Sequence, residues 1–157
     1  MSNFTLRPFT EADRPALLGL ADRFVTFGLP TRYDAEKVLG ARTRELSKLL
    51  ISGPDHAVLV AEDERGLAGF VEVRAERDAS SAEPQAYLAS IAVTREAEGQ
   101  GLGRILMAAA EAWARARGLP TLTLHVFATN DRARGFYHSL GFQEDTLFLT
   151  KSLQEAP

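Results

Sequence analysis

Cysteine is absent from the 157-residue chain. Disulfides, thiolate metal ligands and cysteine nucleophiles are therefore excluded, and nothing calls for an oxidising compartment. Long apolar runs are missing too. No window approaches the ~18 residues of a membrane span, and residues 1–13, MSNFTLRPFTEAD, carry charge early and lack the apolar centre of a leader. The expectation is a cytoplasmic protein with no membrane partner. Nor is there an excess of base: 18 Lys and Arg stand against 21 Asp and Glu, dispersed among one another, for a net charge of −3. That balance argues against nucleic acid and permits cationic partners such as amines. No His, Asp or Glu cluster has metal-ligand spacing, so no metal is expected. No repeat or linker interrupts the sequence, and its length suits a single domain over residues 1–157 that buries about two-thirds of its unfolded surface.

The densest signal lies at residues 88–118, LASIAVTREAEGQGLGRILMAAAEAWARARG. Residues 89–93 form a short apolar, β-branched run suited to a buried strand. Gly99, Gln100, Gly101, Leu102 and Gly103 follow a polar stretch. Glycines at alternate positions turn the backbone tightly and leave N–H groups clear of Cβ atoms; at a helix N-terminus such a nest suits phosphate. Leu102, Ile105, Leu106, Ala109, Trp113 and Ala116 then recur on one helical face. Gly118 suits the position after the helix, and Pro120 prevents its continuation. The spacing is not Gly-x-Gly-x-x-Gly, since Leu106 holds the last place, and no Lys-Ser/Thr pair follows. A dinucleotide fold and a P-loop are both disfavoured. The glycines alone leave open a turn that only brings strand and helix together.

Taken with its neighbours, this stretch says more. SIAV, then EGQGLGRIL, then NDRARGFYHSLGF resembles the GNAT superfamily of N-acetyltransferases. That family marks its acyl-coenzyme A site with a Gln/Arg-x-x-Gly-x-Gly/Ala turn, and its second mark is an Asn-x-x-Ala-x-x-x-Tyr helix followed by Leu-Gly-Phe. Here the latter reads Asn130, Ala133, Tyr137, Leu140, Gly141, Phe142. The resemblance is strongest over residues 87–142, and LRPFTEAD extends it more weakly to the start. Glu98 departs from the pattern, standing where the family has Gln or Arg. A carboxylate beside a pyrophosphate repels it, which predicts that Glu98 turns outward and leaves backbone amides, the helix dipole and Arg104 to hold the ligand.

The remaining elements can be placed in order. Residues 3–7 predict an edge strand ended by Pro8. Asp13, preferred to Thr10, caps a first helix with the stripe Leu17, Leu20, Ala21 and Phe24. Asp34 caps a second, with the stripe Ala35, Val38, Leu39, Leu46, Leu49 and Leu50, ending near Ser52. Phe24, Phe27, Leu29 and Tyr33 between them read as core plugs; the resemblance adds that this connection forms one wall of an acceptor site. Residues 56–63 and 67–77 predict an antiparallel hairpin. Residues 78–84, DASSAEP, predict a mobile loop, and residues 85–93 the next strand. Residues 121–127, TLTLHVF, alternate and follow a helix, so they pair in parallel with that strand. Asn130 caps a helix through Leu140, Gly141 ends it, and residues 146–153 supply a final strand. The fold class is α/β, a mixed, mostly antiparallel sheet of six to seven strands with helices on both faces.

The resemblance implies an acetyl transfer from acetyl-coenzyme A to a primary amine by direct attack. In the family the two central strands splay at the parallel step, and the pantetheine arm pairs with the earlier one, here at Ile91, Ala92 and Val93. A backbone N–H of Ile91 or Ala92 would polarise the thioester carbonyl. The coenzyme contacts implied are those three residues with Gly99, Gln100, Gly101, Leu102, Gly103, Arg104, Asn130, Ala133 and Tyr137. Tyr137 matches the tyrosine that serves as general acid to the leaving thiolate; taken alone, it reads as a core tyrosine. For the base, His125 is the first candidate because an imidazole titrates near neutrality. Glu72 is the second, and a water chain the third. Tyr87 aligns with a glutamate base of another branch and cannot act as a carboxylate. His56 and His138 read as surface residues. The acceptor is expected to be a small molecule, in a pocket closed by residues 78–84 and 27–33. Acetylation of a protein N-terminus or lysine, and a non-catalytic acyl-coenzyme A-binding regulatory module, are the alternatives. Relatives often pair through sheet edges or helices, which leaves a homodimer open.

Overall fold

A computed structural model describes residues 3–49 and 51–155. Five strands, β1 (Thr5–Pro8), β2 (His56–Asp63), β3 (Gly66–Arg77), β4 (Pro84–Val93) and β5 (Leu122–Leu124), form one sheet in that order. Every neighbouring pair is antiparallel except β4 and β5, which are parallel. The helices are α1 (Arg14–Leu18), α2 (Ala35–Ser47), α3 (Leu102–Ala116) and α4 (Asp131–Ser139). The mixed sheet with helices on both faces is the architecture that the sequence predicts.

Strand alternation divides the core into two layers. Ala57, Ala61, Val71, Val73 and Leu88 face α3, where they meet Leu106, Met107 and Ala110. Val58, Val60, Phe70 and Ala92 face the other way, against Phe9, Leu17, Leu20 and Leu46 of the α1/α2 layer. The caps follow the sequence except at Asp13, which makes no side-chain bond to the start of α1; its carboxylate accepts instead from the Thr10 N–H, and Thr10 caps the 3-10 turn that precedes the helix. Asp34 accepts from the Lys37 N–H at 2.9 Å, Asn130 accepts from the Ala133 N–H at 3.2 Å, and Gly118 and Gly141 take positive φ where α3 and α4 end.

Several boundaries differ from expectation. The first helix stops at Leu18, and a 3-10 turn at Ala21–Phe24 completes its stripe. The second ends at Ser47, before Leu49, and Leu50 lies outside the described residues. The buried face of α3 is Leu102, Leu106, Met107, Ala110 and Ala114, while Ile105 is 38% exposed. Gly69 explains this rotation: a Cβ there would lie 2.8 Å from the Ala92 carbonyl oxygen and 3.1 Å from Leu102 Cδ2, so β3 and the start of α3 approach as only glycine allows. Residues 78–84 form a tight hairpin turn rather than a mobile loop. The Asp78 carboxylate accepts from the Ser80 and Ser81 N–H groups and the Ser81 hydroxyl, which together hold it below the usual carboxylate range. Residues 146–153 are not paired in the sheet, which among the described residues has five strands rather than six to seven.

One buried charge locks the first layer. Asp13 is the buried charged residue of the core, and Arg7 on β1 clasps it with two bonds of 2.7 and 2.8 Å while also reaching Glu62 on β2. Bidentate pairing with Arg7 lowers the Asp13 carboxyl to about 2, helped by Thr10, whose N–H and hydroxyl also donate to it. A carboxylate depressed in the folded state stabilises fully above its unfolded value near 4 and loses that contribution as pH falls towards 2. Asp13→Asn should therefore cost roughly 1–2 kcal/mol at neutral pH. Urea unfolding at pH 7 and pH 2.5 should show the difference from wild type shrinking at the lower pH.

Candidate active site

The site begins where β4 and β5 part. They pair only through Ala86–Leu122, Tyr87–Thr123 and Leu88–Leu124. At the next residue β4 carries a bulge: Glu72 of β3 faces Ser90 and Val73 faces Leu88, so Ala89 is the extra residue. Beyond it β4 keeps β3 on one side and has no strand on the other. The Thr94 N–H donates to the Ala68 carbonyl on the β3 side. Alternation therefore turns the backbone groups of Ile91 and Val93 towards the opening and those of Ala92 towards β3. The Val93 carbonyl is met there by Arg23 Nε at 3.2 Å.

The opening leads to the glycine turn. Gly99 and Gly101 have φ of 72° and 80°, left-handed values that favour glycine, and a Cβ on either would meet nothing within 4 Å. Backbone conformation thus requires these glycines, and open space lies above them. Gly101 is the N-cap of α3, and the Ile105 N–H makes the first helical bond back to its carbonyl. The N–H groups of Leu102, Gly103 and Arg104 precede that bond and have no intrahelical acceptor. Gly103 serves packing instead, since its Cβ would press on the Phe136 ring at 3.2 Å. Gln100 folds back on the Glu96 carbonyl, and the Arg104 guanidinium reaches Ser139 of α4 at 2.9 Å.

Glu98 does not turn outward. Its side chain is 27% exposed and pairs with Arg23, from the turn after α1, and with Arg132 of α4 at 3.4 Å. One carboxylate facing two guanidiniums leaves this edge of the turn positive. Sequence reasoning missed Arg23 because nothing local marks it; only the fold brings it to Glu98.

Tyr137 lies on the inner side of α4, with its ring 5.4 Å from Phe136 and 5.7 Å from Phe142. Burial pushes its phenol up to about 12. Among the described residues it has no hydrogen-bond partner, yet its oxygen is not sealed from solvent. Asn130 caps the helix through Ala133, so both motif residues have structural duties.

On the α1/α2 face of the bulge lies a cavity of about 720 Å³, whose walls include Arg42, Glu45, His56, Glu72, Arg74, Tyr87, Ala89 and Ser90. Glu72 faces this cavity, as does His56, which is not a free surface residue: its Nε2 lies 3.2 Å from Glu72 Oε1. His125 does not line it. That ring is exposed on the far side of Tyr87, with Nδ1 3.0 Å from the Tyr87 hydroxyl. Burial raises the Tyr87 pKa, so the phenol stays protonated at neutral pH. Of the aromatics before α2, Phe24 is a core plug, its ring 6.4 Å from that of buried Phe70, whereas Phe27 and Tyr33 pack on Phe127 beyond β5, at 5.7 and 5.0 Å. Neither they nor residues 78–84 bound the cavity. Among the described residues no group of three or more His, Cys, Asp or Glu could hold a metal, and no helix is long and apolar enough to cross a membrane.

A mixed sheet parted at its parallel step, with a glycine nest at one end of the gap and a cavity at the other, defines a class. The model of the acetyltransferase (GNAT) family matches residues 24–142, and the chain belongs to that family. The uncharacterized N-acetyltransferase YycN of Bacillus subtilis is 32% identical over 91 residues, 58% of this chain and 57% of that protein. The mycothiol acetyltransferase of Jonesia denitrificans is 38% identical over 91 residues, 57% of this chain and 28% of that protein. The chain thus matches little more than half the length of the first relative and about a quarter of the second. The likeness in fold runs along nearly the whole chain: a solved structure from Pyrococcus furiosus, described as an acetyl transferase, superposes with a TM-score of 0.75 at 26% identity over 96% of this chain and 100% of that one.

Proposed function

We propose that the protein transfers an acetyl group from acetyl-coenzyme A to the primary amine of a small molecule. The observation that carries this reading is the alignment of three features along one opening: the glycine nest, the unpaired edge of β4, and the bulge at Ala89 facing the cavity. The free amides of residues 102–104 would hold the diphosphate, and the positive end of α3 adds to their pull. The pantetheine arm would add to β4 as a strand, through Ile91 and Val93. That places the thioester near the bulge, where the amine arriving through the cavity attacks the carbonyl carbon, the C–S bond breaks and the thiolate leaves. Tyr137 would donate a hydrogen bond to the sulfur. A cavity of about 720 Å³ has the dimensions of a small-molecule site rather than of a groove for a folded protein. The mycothiol acetyltransferase among the relatives supports that preference.

Glu72, buttressed by His56, is the better-placed proton acceptor, because it alone of the candidates lines the cavity beside the bulge. His125 has a second claim through Tyr87, which lines the cavity and whose hydroxyl contacts the His125 ring. Glu72→Gln should lower kcat by roughly 10² or more and remove the limb of the pH–rate profile that reports the base, whereas His125→Ala should change kcat only a few-fold. The opposite ranking would assign the base to the Tyr87–His125 pair.

The function itself is tested by release of free thiol from acetyl-coenzyme A across a panel of small amines. Turnover with at least one amine is expected. Tight donor binding without thiol release on any amine would favour a regulatory binding module, and acetylation confined to intact proteins would overturn the small-molecule preference. Tyr137→Phe should lower turnover by roughly 10²-fold with little effect on donor affinity by calorimetry.

Glu98 would compete with the diphosphate for Arg23 and Arg132, which stand beside the nest. Glu98→Gln should lower the donor Kd at low salt by freeing both guanidiniums, with the difference shrinking as ionic strength rises. A weakened donor affinity in that variant would mean that the carboxylate positions the arginines rather than competes for them.

A further inference from the structure

We propose, building on the reading of the cavity as the acceptor site, that the amine accepted there carries its own carboxylate, as an amino acid does. The nitrogen lies at Glu72 and the carboxylate on the guanidinium of Arg74.

These two residues stand side by side on β3. Glu72 pairs in register with Val58 and Arg74 with His56 on β2, and Arg74 also with Tyr87 on β4, so both belong to the face that meets the α1/α2 layer. Both line the cavity. Alternate residues on one strand face lie about 6.6 Å apart, close enough for one small molecule to touch both. They nevertheless form no ion pair with each other. Glu72 is engaged by His56, with Oε1 3.2 Å from Nε2, and its side chain is only 13% exposed. Arg74 lies over the Tyr87 ring, 5.0 Å from its centroid, and its side chain is 47% exposed. Tyr87 is in turn steadied by the contact of its hydroxyl with His125 at 3.0 Å.

Stacking orients a guanidinium while using none of its N–H donors. Among the described residues Arg74 makes no hydrogen bond, and the carboxylate it faces, that of Glu76, stays 3.7 Å from Nε. The other arginine of the wall is already engaged: Arg42 bonds Glu45 at 2.8 Å and lies over the Phe24 ring. Lys48 and Asp55, both exposed, oppose one another in charge. The cavity thus offers a carboxylate–imidazole pair suited to an amine and, beside it, an oriented fork of free donors. A planar carboxylate meets such a fork through two parallel bonds, which a lysine could not provide. A second cation would be repelled by Arg74, so a polyamine fits this lining poorly.

The test is release of thiol from acetyl-coenzyme A by the wild-type chain on the common α-amino acids, on their carboxamides and decarboxylated amines, and on O-phosphoethanolamine. At least one free amino acid should be acetylated with a kcat/KM roughly 10- to 100-fold above those of its amide and its decarboxylated amine. In Arg74→Gln that ratio should fall towards one, through KM for the acid rather than kcat. A merely structural role would lower acid and amide alike, so an intact ratio in that variant would overturn the assignment. Equal turnover of acid and amide by the wild type, or a preference for a diamine or for O-phosphoethanolamine over every carboxylate-bearing amine, would overturn it while leaving acetyl transfer standing. Absence of thiol release from every amine, with the donor bound, would overturn the acceptor-site reading and this assignment together.

Discussion

Everything at the candidate site follows from one constraint: a parallel neighbour can be reached only by a crossover, and here that crossover is α3. The chain leaves β4 at Val93, must turn through the glycines, and returns through a helix whose close seat on β3 depends on Gly69. The pairing of β4 with β5 therefore begins at the far end, at Ala86, and lasts three residues. The bulge at Ala89 then changes the pleat where the strands separate. A flat, fully paired sheet would satisfy more backbone groups, and the unpaired stretch is the cost of the opening. The opening is a consequence of topology, and the side chains around it tune what it accepts.

The electrostatics at the two ends of this opening differ in kind. Around the glycine turn, Arg23 and Arg132 converge on Glu98, and Arg104 lies nearby on the first turn of α3. Two guanidiniums facing one carboxylate leave a net positive charge beside the turn, so an acidic residue there is compatible with the proposed diphosphate site. Arg23 also spans from the α1/α2 layer to the Val93 carbonyl. It thereby ties the α1/α2 layer to the unpaired end of β4. In the cavity, by contrast, acidic and basic side chains stand close together: Arg42 with Glu45 at 2.8 Å, and His56 with Glu72 at 3.2 Å. Such a lining discriminates by the geometry of individual pairs more than by overall sign.

What was legible in the sequence was whatever depends on local chemistry. Asp34, Asn130, Gly118 and Gly141 marked helix ends because the free N–H and C=O groups there need particular residues whatever the rest of the fold does. The glycine turn and the parallel step were readable for the same reason. The rotation of α3 was not, because a glycine more than thirty positions upstream, on β3, sets it. Nor were the Glu98 pairs, since Arg23 and Arg132 lie far from residue 98 in the chain. Residues 78–84 looked mobile from polarity alone, but the polarity is used internally: Asp78 satisfies three donors of its own turn. Residues 146–153 looked strand-like from their apolar and threonine content, yet composition does not supply a neighbour, and among the described residues they pair with no strand.

The Tyr137 phenol limits how the proposed reaction can end. Held near 12 by burial, it lies about 3.5 units above an ordinary thiol near 8.5, so complete proton transfer to a leaving thiolate is uphill by roughly 5 kcal/mol. A stepwise protonation that leaves a tyrosinate is therefore disfavoured. A neutral phenol that donates a hydrogen bond to sulfur while the C–S bond breaks avoids that cost, and burial strengthens the bond because the surroundings screen it poorly. The thiolate is then released as an anion or protonated from water. By this argument burial suits Tyr137 to stabilise developing charge, and the one proton that must leave the site is that of the attacking amine, on the side where Glu72 and Tyr87 line the cavity.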